Sequence, residues 1–339
     1  MNKILLIQLK QIGDCLMTTP AIRAIKLAYP ESEIHFLTQT PSNQLFEHNP
    51  YVSKVHCFPK TSKLSDVIPA VMALRSEKYD LTIDFEVLPK TAVLSWLTGA
   101  KKRVGFNYRG RRLFYTHPFD AKPIGFYAAE KKLALLEAIG ITATDSQIEF
   151  PIGPEEQQYA KDLFKELKVD PTRPIVTFSP VSRKAVKVWS LENFAWIADK
   201  LIAEKNIQVL LLWGPGEEHF IKDMRSYMDQ EDLGDYEIPT IAETEAILLS
   251  VDLHVGNDNG LKHLAVAAHT PTVCIFGQAR KANWTPPHGD HTALEFDPGC
   301  KWSCSFPDCE LECLNVKKED VWAELIKKVD GLKNAKSGS

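Results

Sequence analysis

Ile4, Leu5, Leu6, Ile7 and Leu9 make a near-continuous apolar run, the pattern of a parallel strand covered on both faces. Gly13 permits a tight turn after it, and Asp14 follows at the carboxyl end of the strand, on the loop into a helix. Leu16, Ala21, Ile22, Ile25 and Ala28 then recur at helical spacing. Pro20 either opens the main helix after Thr19 or kinks one that began earlier, and Pro30 closes it. The pattern predicts strands over 33–38 and 52–58, a helix over 66–77, and a further buried strand over 79–85 that ends at Asp84 and Glu86. Helical spacing over 128–139 stops at Gly140, a C-cap signal, and a charged helix over 155–167 runs towards Pro171 and Pro174. Two prolines in four residues mark a domain boundary, giving units 1–168 and 174–339.

The alternation restarts beyond the boundary. A strand over 175–178 leads to a loop holding Ser182, Arg183, Lys184 and Lys187, and Ser190 is placed to cap a helix through Ala203. The very apolar strand over 208–213 ends in Gly214-Pro-Gly-Glu-Glu218. From Val251 the order is strand, Gly256-Asn-Asp-Asn-Gly260, a helix carrying Leu261, Leu264, Ala265 and Ala268, then a strand over 272–276. A final helix over 319–329 packs through Val321, Leu325 and Val329. Strands alternating with helices in both halves define an α/β chain of two doubly wound parallel sheets.

Length and charge narrow the class. At 339 residues, with a formal charge of -4 and 25% charged residues, the chain is expected to be a soluble two-domain protein. No apolar run reaches the roughly 18 residues that would span a bilayer. The start passes directly from Met-Asn-Lys into strand residues, which leaves no room for a cleavable signal and predicts a cytoplasmic protein. Cys15, Cys57 and Cys274 stand apart in apolar surroundings, unlike a secreted disulfide framework.

Several positions carry candidate chemistry. Asp14, at the carboxyl end of the first strand where open α/β sheets bind ligands, is the candidate catalytic residue; the alternative is a helix N-cap. With one glycine in place of three, this loop does not fit a dinucleotide fingerprint. Asp84 and Glu86 end another strand and are further candidates for the same crevice. The stretch from Lys101 to Arg112 holds six Lys or Arg and no acid; Arg109, Arg111 and Arg112 share a loop with Tyr108 that suits a phosphate, a carboxylate or an anionic lipid surface, or is simply solvated. The acidic whole and a single short loop exclude a nucleic-acid groove. Glu217 and Glu218 suit the hydroxyls of a ribose, or favour the first turn of the following helix. The helix starting at Gly260 offers an anion site, with His263 in its first turn as a donor to a phosphate or simply a packed or capping residue, and Asp258 as N-cap or hydroxyl acceptor. Cys300, Cys304, Cys309 and Cys313 form either a thiolate site for Zn or Fe, or disulfides.

Three of these stretches together resemble glycosyltransferase family 9, the bacterial heptosyltransferases. They are Gly13-Asp14 with Thr19 to Ala24; Lys187 with Trp189; and Asn257, Asp258, Gly260 and His263 followed by Thr-Pro-Thr, Phe276 and Gly277. Lys10 and Gln11 stand where several members carry small hydroxyl residues, and Asn259 replaces a common Ser, Thr or Gly. The resemblance implies a GT-B fold with an acceptor domain and a sugar-nucleotide domain facing each other across a cleft. It implies an inverting single displacement with Asp14 as general base and Lys187 on the donor diphosphate. Donor contacts would come from Ser182, Glu217, Glu218, Asp258, Asn259, Gly260 and His263, and acceptor contacts from Lys10, Arg109, Arg111 and Arg112. Its partners would be ADP-heptose and a lipid A-core acceptor at the inner membrane surface, with no cofactor required and the four cysteines an optional structural metal site. A sugar-nucleotide epimerase of the same fold and a non-catalytic nucleotide-binding or redox assembly protein are the alternatives.

Overall fold

The opening apolar run forms β1 (Lys3–Ile7), and four of its five residues are fully buried because strands pair with it on both edges. The computed structural model describes residues 1–61, 63–120, 127–300 and 309–336, and the chain divides into two units, Met1–Pro151 and Ile152–Ser339. In the first unit β1 is joined by β2 (Glu33–Thr38), β3 (Lys54–Cys57), β4 (Leu81–Asp84), β5 (Lys102–Phe106) and β6 (His117–Phe119). All pairings are parallel, in the order β3-β2-β1-β4-β5-β6. The helices between them are α1 (Ile12–Leu16), α2 (Thr19–Ala28), α3 (Leu64–Ser76), α4 (Pro89–Leu97) and α5 (Ala128–Ala134). α2 starts as the sequence suggests, with Pro20 in its first turn, where a missing N–H costs no hydrogen bond, and it buries Ala21, Ile22, Ala24 and Ile25.

The second unit holds β7 (Ile175–Ser179), β8 (Gln208–Leu211), β9 (Leu253–Asn257), β10 (Thr272–Phe276) and β11 (His291–Glu295), again all parallel, in the order β11-β10-β9-β7-β8. Its helices are α6 (Pro154–Glu166), α7 (Leu191–Lys205), α8 (Glu218–Ser226), α9 (Ile241–Leu249), α10 (Gly260–Ala267), α11 (Lys281–Trp284) and α12 (Lys318–Lys336). Ser190 Oγ accepts from Asn193 N at 3.3 Å, the cap expected for α7. One core joins Phe178, Trp189, Phe194, Val209 and Val255 to Val321, Leu325 and Val329 of α12, and the Trp189 indole donates to Val316 O at 2.9 Å.

Some elements differ from expectation. The division falls after Pro151 rather than at 169–174, because α6 packs against α9 and belongs to the second unit. The basic stretch is half strand: Lys102–Phe106 is β5, and the Arg103 guanidinium is tied to Phe114 O at 2.8 Å and Ala100 O at 2.7 Å. Cys57 is exposed, since it ends the edge strand β3. In both sheets the strand order reverses at one place, between β1 and β4 and between β7 and β9, and crevices for ligands open at the carboxyl ends of such strand pairs.

Candidate active site

In the first unit the switch point gathers Gln8, Asp14, Asp84, Glu86 and Lys132. Asp14 lies in the first turn of α1, with no side-chain cap on that helix, so it is neither on a loop nor the N-cap. The residue that enters α1, Gln11, has φ 60, a strained value for a side-chain-bearing residue that costs roughly 1–3 kcal/mol and is held by its surroundings. Glu86 fixes the strand end: one carboxylate oxygen accepts from Leu9 N at 2.9 Å, from Lys10 N at 3.1 Å and from the Gln8 side-chain amide. Gln8 in turn accepts from the buried ammonium of Lys132 on α5. Burial pulls the Lys132 pKa down, and Asp14, Cys15, Glu86 and Asp84 oppose this, so one buried cation faces the whole acidic group. Burial likewise raises the Glu86 pKa, with Asp14 adding to the effect.

Asp84 is not a ligand group. It is fully buried, accepts from Tyr115 Oη at 2.7 Å and from Glu86 N at 3.0 Å, and burial lifts its pKa to about 6. The side chain of Lys10 is exposed, and only its backbone takes part in the cluster. Arg109 and Arg111 lie 5.1 and 5.2 Å from the Tyr108 ring, and Arg111 buries Nε and Nη1 without a hydrogen-bond partner among the described residues. Arg112 is exposed.

The second switch point is built around an ion pair. Lys187, at the end of a short 3-10 turn (Ala185–Lys187), reaches 71 residues along the chain to Asp258, whose side chain is buried. His263 Nε2 lies 3.8 Å from the other Asp258 oxygen, while its Nδ1 is buried with no partner among the described residues. Burial, with Lys262 and Lys187 nearby, drives the His263 pKa well down, so the ring stays neutral with one N–H to donate. Asn259, not Asp258, caps α10: its Oδ1 accepts from Lys262 N at 2.9 Å, and its Nδ2 donates to Val181 O at 2.9 Å. That engagement takes the Asn259 side chain out of the expected donor contacts and ties the start of α10 to the segment after β7.

Supporting contacts set the two strand ends. Asn257 Oδ1 accepts from Trp189 N at 3.0 Å, and Ser182, also buried, accepts from Lys184 N at 3.3 Å. Glu217 accepts from Gly214 N at 3.0 Å, and the exposed Glu218 opens α8 and accepts from Gly216 N at 3.3 Å, so both carboxylates hold their own loop. The four-cysteine set cannot be followed as a whole, because Cys304 lies outside the described residues; Cys309 is half-buried and Cys313 buried.

Two buried lysines, Lys132 and Lys262, escaped the sequence reading. Lys262 is fully enclosed, donates to Trp284 O and lies 5.4 Å from the Phe276 ring. A lysine on a helix reads as solvated, and only the apolar neighbours of each gave a signal.

Two tests of this framework follow. A Cβ on Gly277 would meet Val186 O at 2.5 Å and Leu314 Cδ2 at 2.7 Å, so Gly277→Ala must push back the segment that carries Lys187. Overpacking of this kind is expected to cost ~1–3 kcal/mol in denaturant unfolding. His254, fully buried between Thr177 Oγ1 at 2.9 Å and Ser179 Oγ at 3.0 Å, has its pKa pushed down to about 3 by burial. The unfolded chain takes up a proton near pH 6.5 that the folded chain refuses until about pH 3. Stability therefore falls as pH drops through that window, with a slope of up to about 1.4 kcal/mol per pH unit from this residue. His254→Gln should flatten the acid limb of the unfolding free energy, measured with denaturant as a function of pH, by that amount.

Two doubly wound parallel units, each with polar groups gathered at its switch point, are the architecture of a GT-B glycosyltransferase. The sequence profile of glycosyltransferase family 9 (heptosyltransferase) matches residues 70–309, and the chain belongs to that family. It is 25% identical over 295 residues to lipopolysaccharide heptosyltransferase 3 of Escherichia coli K12, covering 81% of this chain and 82% of that one. Among solved structures it is similar to a family 9 glycosyltransferase from Veillonella parvula, at TM-score 0.83 and 19% identity over 97% of both chains. It is also similar to ADP-heptose lps heptosyltransferase II of E. coli, at TM-score 0.78 and 19% identity over 98% of this chain and 99% of the other. The protein is therefore an enzyme, a glycosyltransferase.

Proposed function

We propose that the chain transfers heptose from ADP-heptose to the inner core of lipopolysaccharide, with inversion at the anomeric carbon. The observation that carries this is the Lys187–Asp258 pair at the mouth of α10 in the second unit, beside the neutral N–H of His263. An ammonium there can turn from Asp258 to a diphosphate, while Asp258 is freed to accept from sugar or ribose hydroxyls. Lys187 and the amino end of α10 then stabilise the departing ADP, and Asp14 takes the acceptor proton as the oxygen attacks. One oxygen of Glu217 stays with Gly214 N, and the other accepts from the ribose. No metal is needed for these steps. The similarity to lipopolysaccharide heptosyltransferases supports the choice of sugar and acceptor.

The Arg111 guanidinium, whose Nε and Nη1 have no hydrogen-bond partner among the described residues, suits with Arg109, Arg112 and Lys10 the phosphate or carboxylate groups of an inner-core acceptor. The turn 111–114 and the helices beside it suit the cytoplasmic surface of the inner membrane: α3 packs on α4, α4 packs on that turn, and Leu64, Ile68 and Met72 of α3, Trp96 of α4 and Leu113 are exposed. Among the described residues no helix is long and apolar enough to cross a membrane, so contact would be peripheral.

Calorimetric titration with ADP, UDP and GDP and their sugar conjugates tests the reading. Selective binding of ADP and ADP-heptose is expected, with turnover only when acceptor is added. Selective binding of UDP-sugars would move the donor, turnover without acceptor would point to an epimerase, and no nucleotide binding would point to an assembly protein.

A further inference from the structure

On the β2–β3 side of the first unit's sheet, His35 of β2, His56 of β3 and Glu77 between α3 and β4 bring ligand atoms within 4.8 Å of one another. We propose that His35, His56 and Glu77, with the Tyr79 hydroxyl between the rings, form a site for a divalent cation of the zinc class.

The geometry is unusual for a hydrogen-bonded cluster. His35 Nδ1 lies 2.9 Å from Tyr79 Oη, Tyr79 Oη lies 3.0 Å from His56 Nε2, and the two ring nitrogens are 3.2 Å apart. Each ring nitrogen of a neutral imidazole either donates or accepts, so three short contacts in a triangle hold at most two well-aligned hydrogen bonds. The third, nitrogen facing nitrogen, is left over. Around a tetrahedral ion with bonds of ~2.0–2.1 Å the ligand atoms stand roughly 3.3 Å apart, close to the separation already present. Nitrogen donors favour Zn or a similar transition metal over Mg or Ca.

Charged groups face the cluster from every side. Lys3 Nζ is 2.8 Å from Glu77 Oε2 and 3.4 Å from Glu33, and Lys54 Nζ is 2.7 Å from Glu77 Oε1. His35 Nε2 is 3.8 Å from Glu33. A cation must compete with the two ammonium groups for Glu77. Lys54 is the one to yield, since its side chain is half exposed and a surface pair of this kind is worth ~0–1 kcal/mol. His35 is buried, while His56 and Glu77 remain partly open to solvent and give the ion a way in. Bound there, it would pin the edge strand β3 and the link into β4 to β2. The effect is on stability and leaves transfer untouched.

Zinc chloride titrated calorimetrically into the metal-free protein tests the site. The chain should carry Cys300→Ser, Cys304→Ser, Cys309→Ser and Cys313→Ser, so that thiolates do not contribute. One equivalent of binding and a raised melting temperature are expected, with affinity reduced in His56→Gln and in Glu77→Gln by at least the ~10–100-fold typical for loss of an outer-shell partner alone. Both substitutions lie at partly exposed positions, and unchanged circular dichroism shows that each variant is folded. Absence of zinc binding, or binding that neither substitution weakens, overturns the proposal. Either result leaves the nucleotide titrations unaffected, so the two readings fail separately.

Discussion

Asp14→Asn is expected to lower the rate of glycosyl transfer by ~100–10,000-fold while leaving ADP affinity unchanged. The amide keeps the size of the side chain and its place in the first turn of α1 but cannot take a proton. Asp84 has both oxygens engaged, by Tyr115 and Glu86 N, while Glu86 holds Leu9 N, Lys10 N and Gln8 on one oxygen only, so Glu86→Gln is the companion variant that shows whether this second acid substitutes. Single-turnover kinetics with saturating donor isolates the chemical step. A variant that retains the wild-type rate removes Asp14 from proton transfer and returns it to a helix-start role.

Lys187→Ala is expected to abolish donor binding, and here the structure changes how such a result must be read. Lys187 is the partner of a buried carboxylate, and breaking a buried pair by removing one member typically costs about 3–5 kcal/mol. Lost binding in the single variant is therefore ambiguous between a missing phosphate contact and a disturbed α10. Lys187→Ala combined with Asp258→Asn, read against Asp258→Asn alone, which keeps the ammonium and should retain ADP binding, separates them. The double variant should recover unfolding stability, because no unpaired charge is left, yet still fail to bind ADP in calorimetry. If the double variant binds ADP as the wild type does, Lys187 serves only to neutralise Asp258.

What the chain discloses without a structure follows physical range. β1, α2, the capped α7 and the apolar stripe of α12 were legible because each is specified by local pattern, and the units then follow from strand–helix alternation. β5 was not, because Lys102 and Arg103 mask Val104 and Phe106, and a positively charged stretch with glycines reads as a loop. Asp258 and Asn259 are adjacent residues that both can cap. Only the extended backbone of Asn259, with φ -141 and ψ -175, decides that it is the cap and that Asp258 turns to Lys187. The Lys187–Asp258 and Gln8–Lys132 contacts span 71 and 124 residues, and no spacing rule reaches that far. Family motifs brought Lys187 and Asp258 onto one site, though not into contact, while Lys132 and Lys262 belong to no motif that had been recognised.

The way α12 closes the second core sets an order of assembly during synthesis. The six strands of the first unit are complete once Phe119 has emerged, so that sheet can form while the rest is still being made. The second unit has no such freedom: Trp189, early in its sequence, waits for Val316, and the same core waits for Val321, Leu325 and Val329. Until those residues appear, its parallel strands stand with apolar surface open, the state in which a nascent chain is most prone to self-association and most in need of a chaperone.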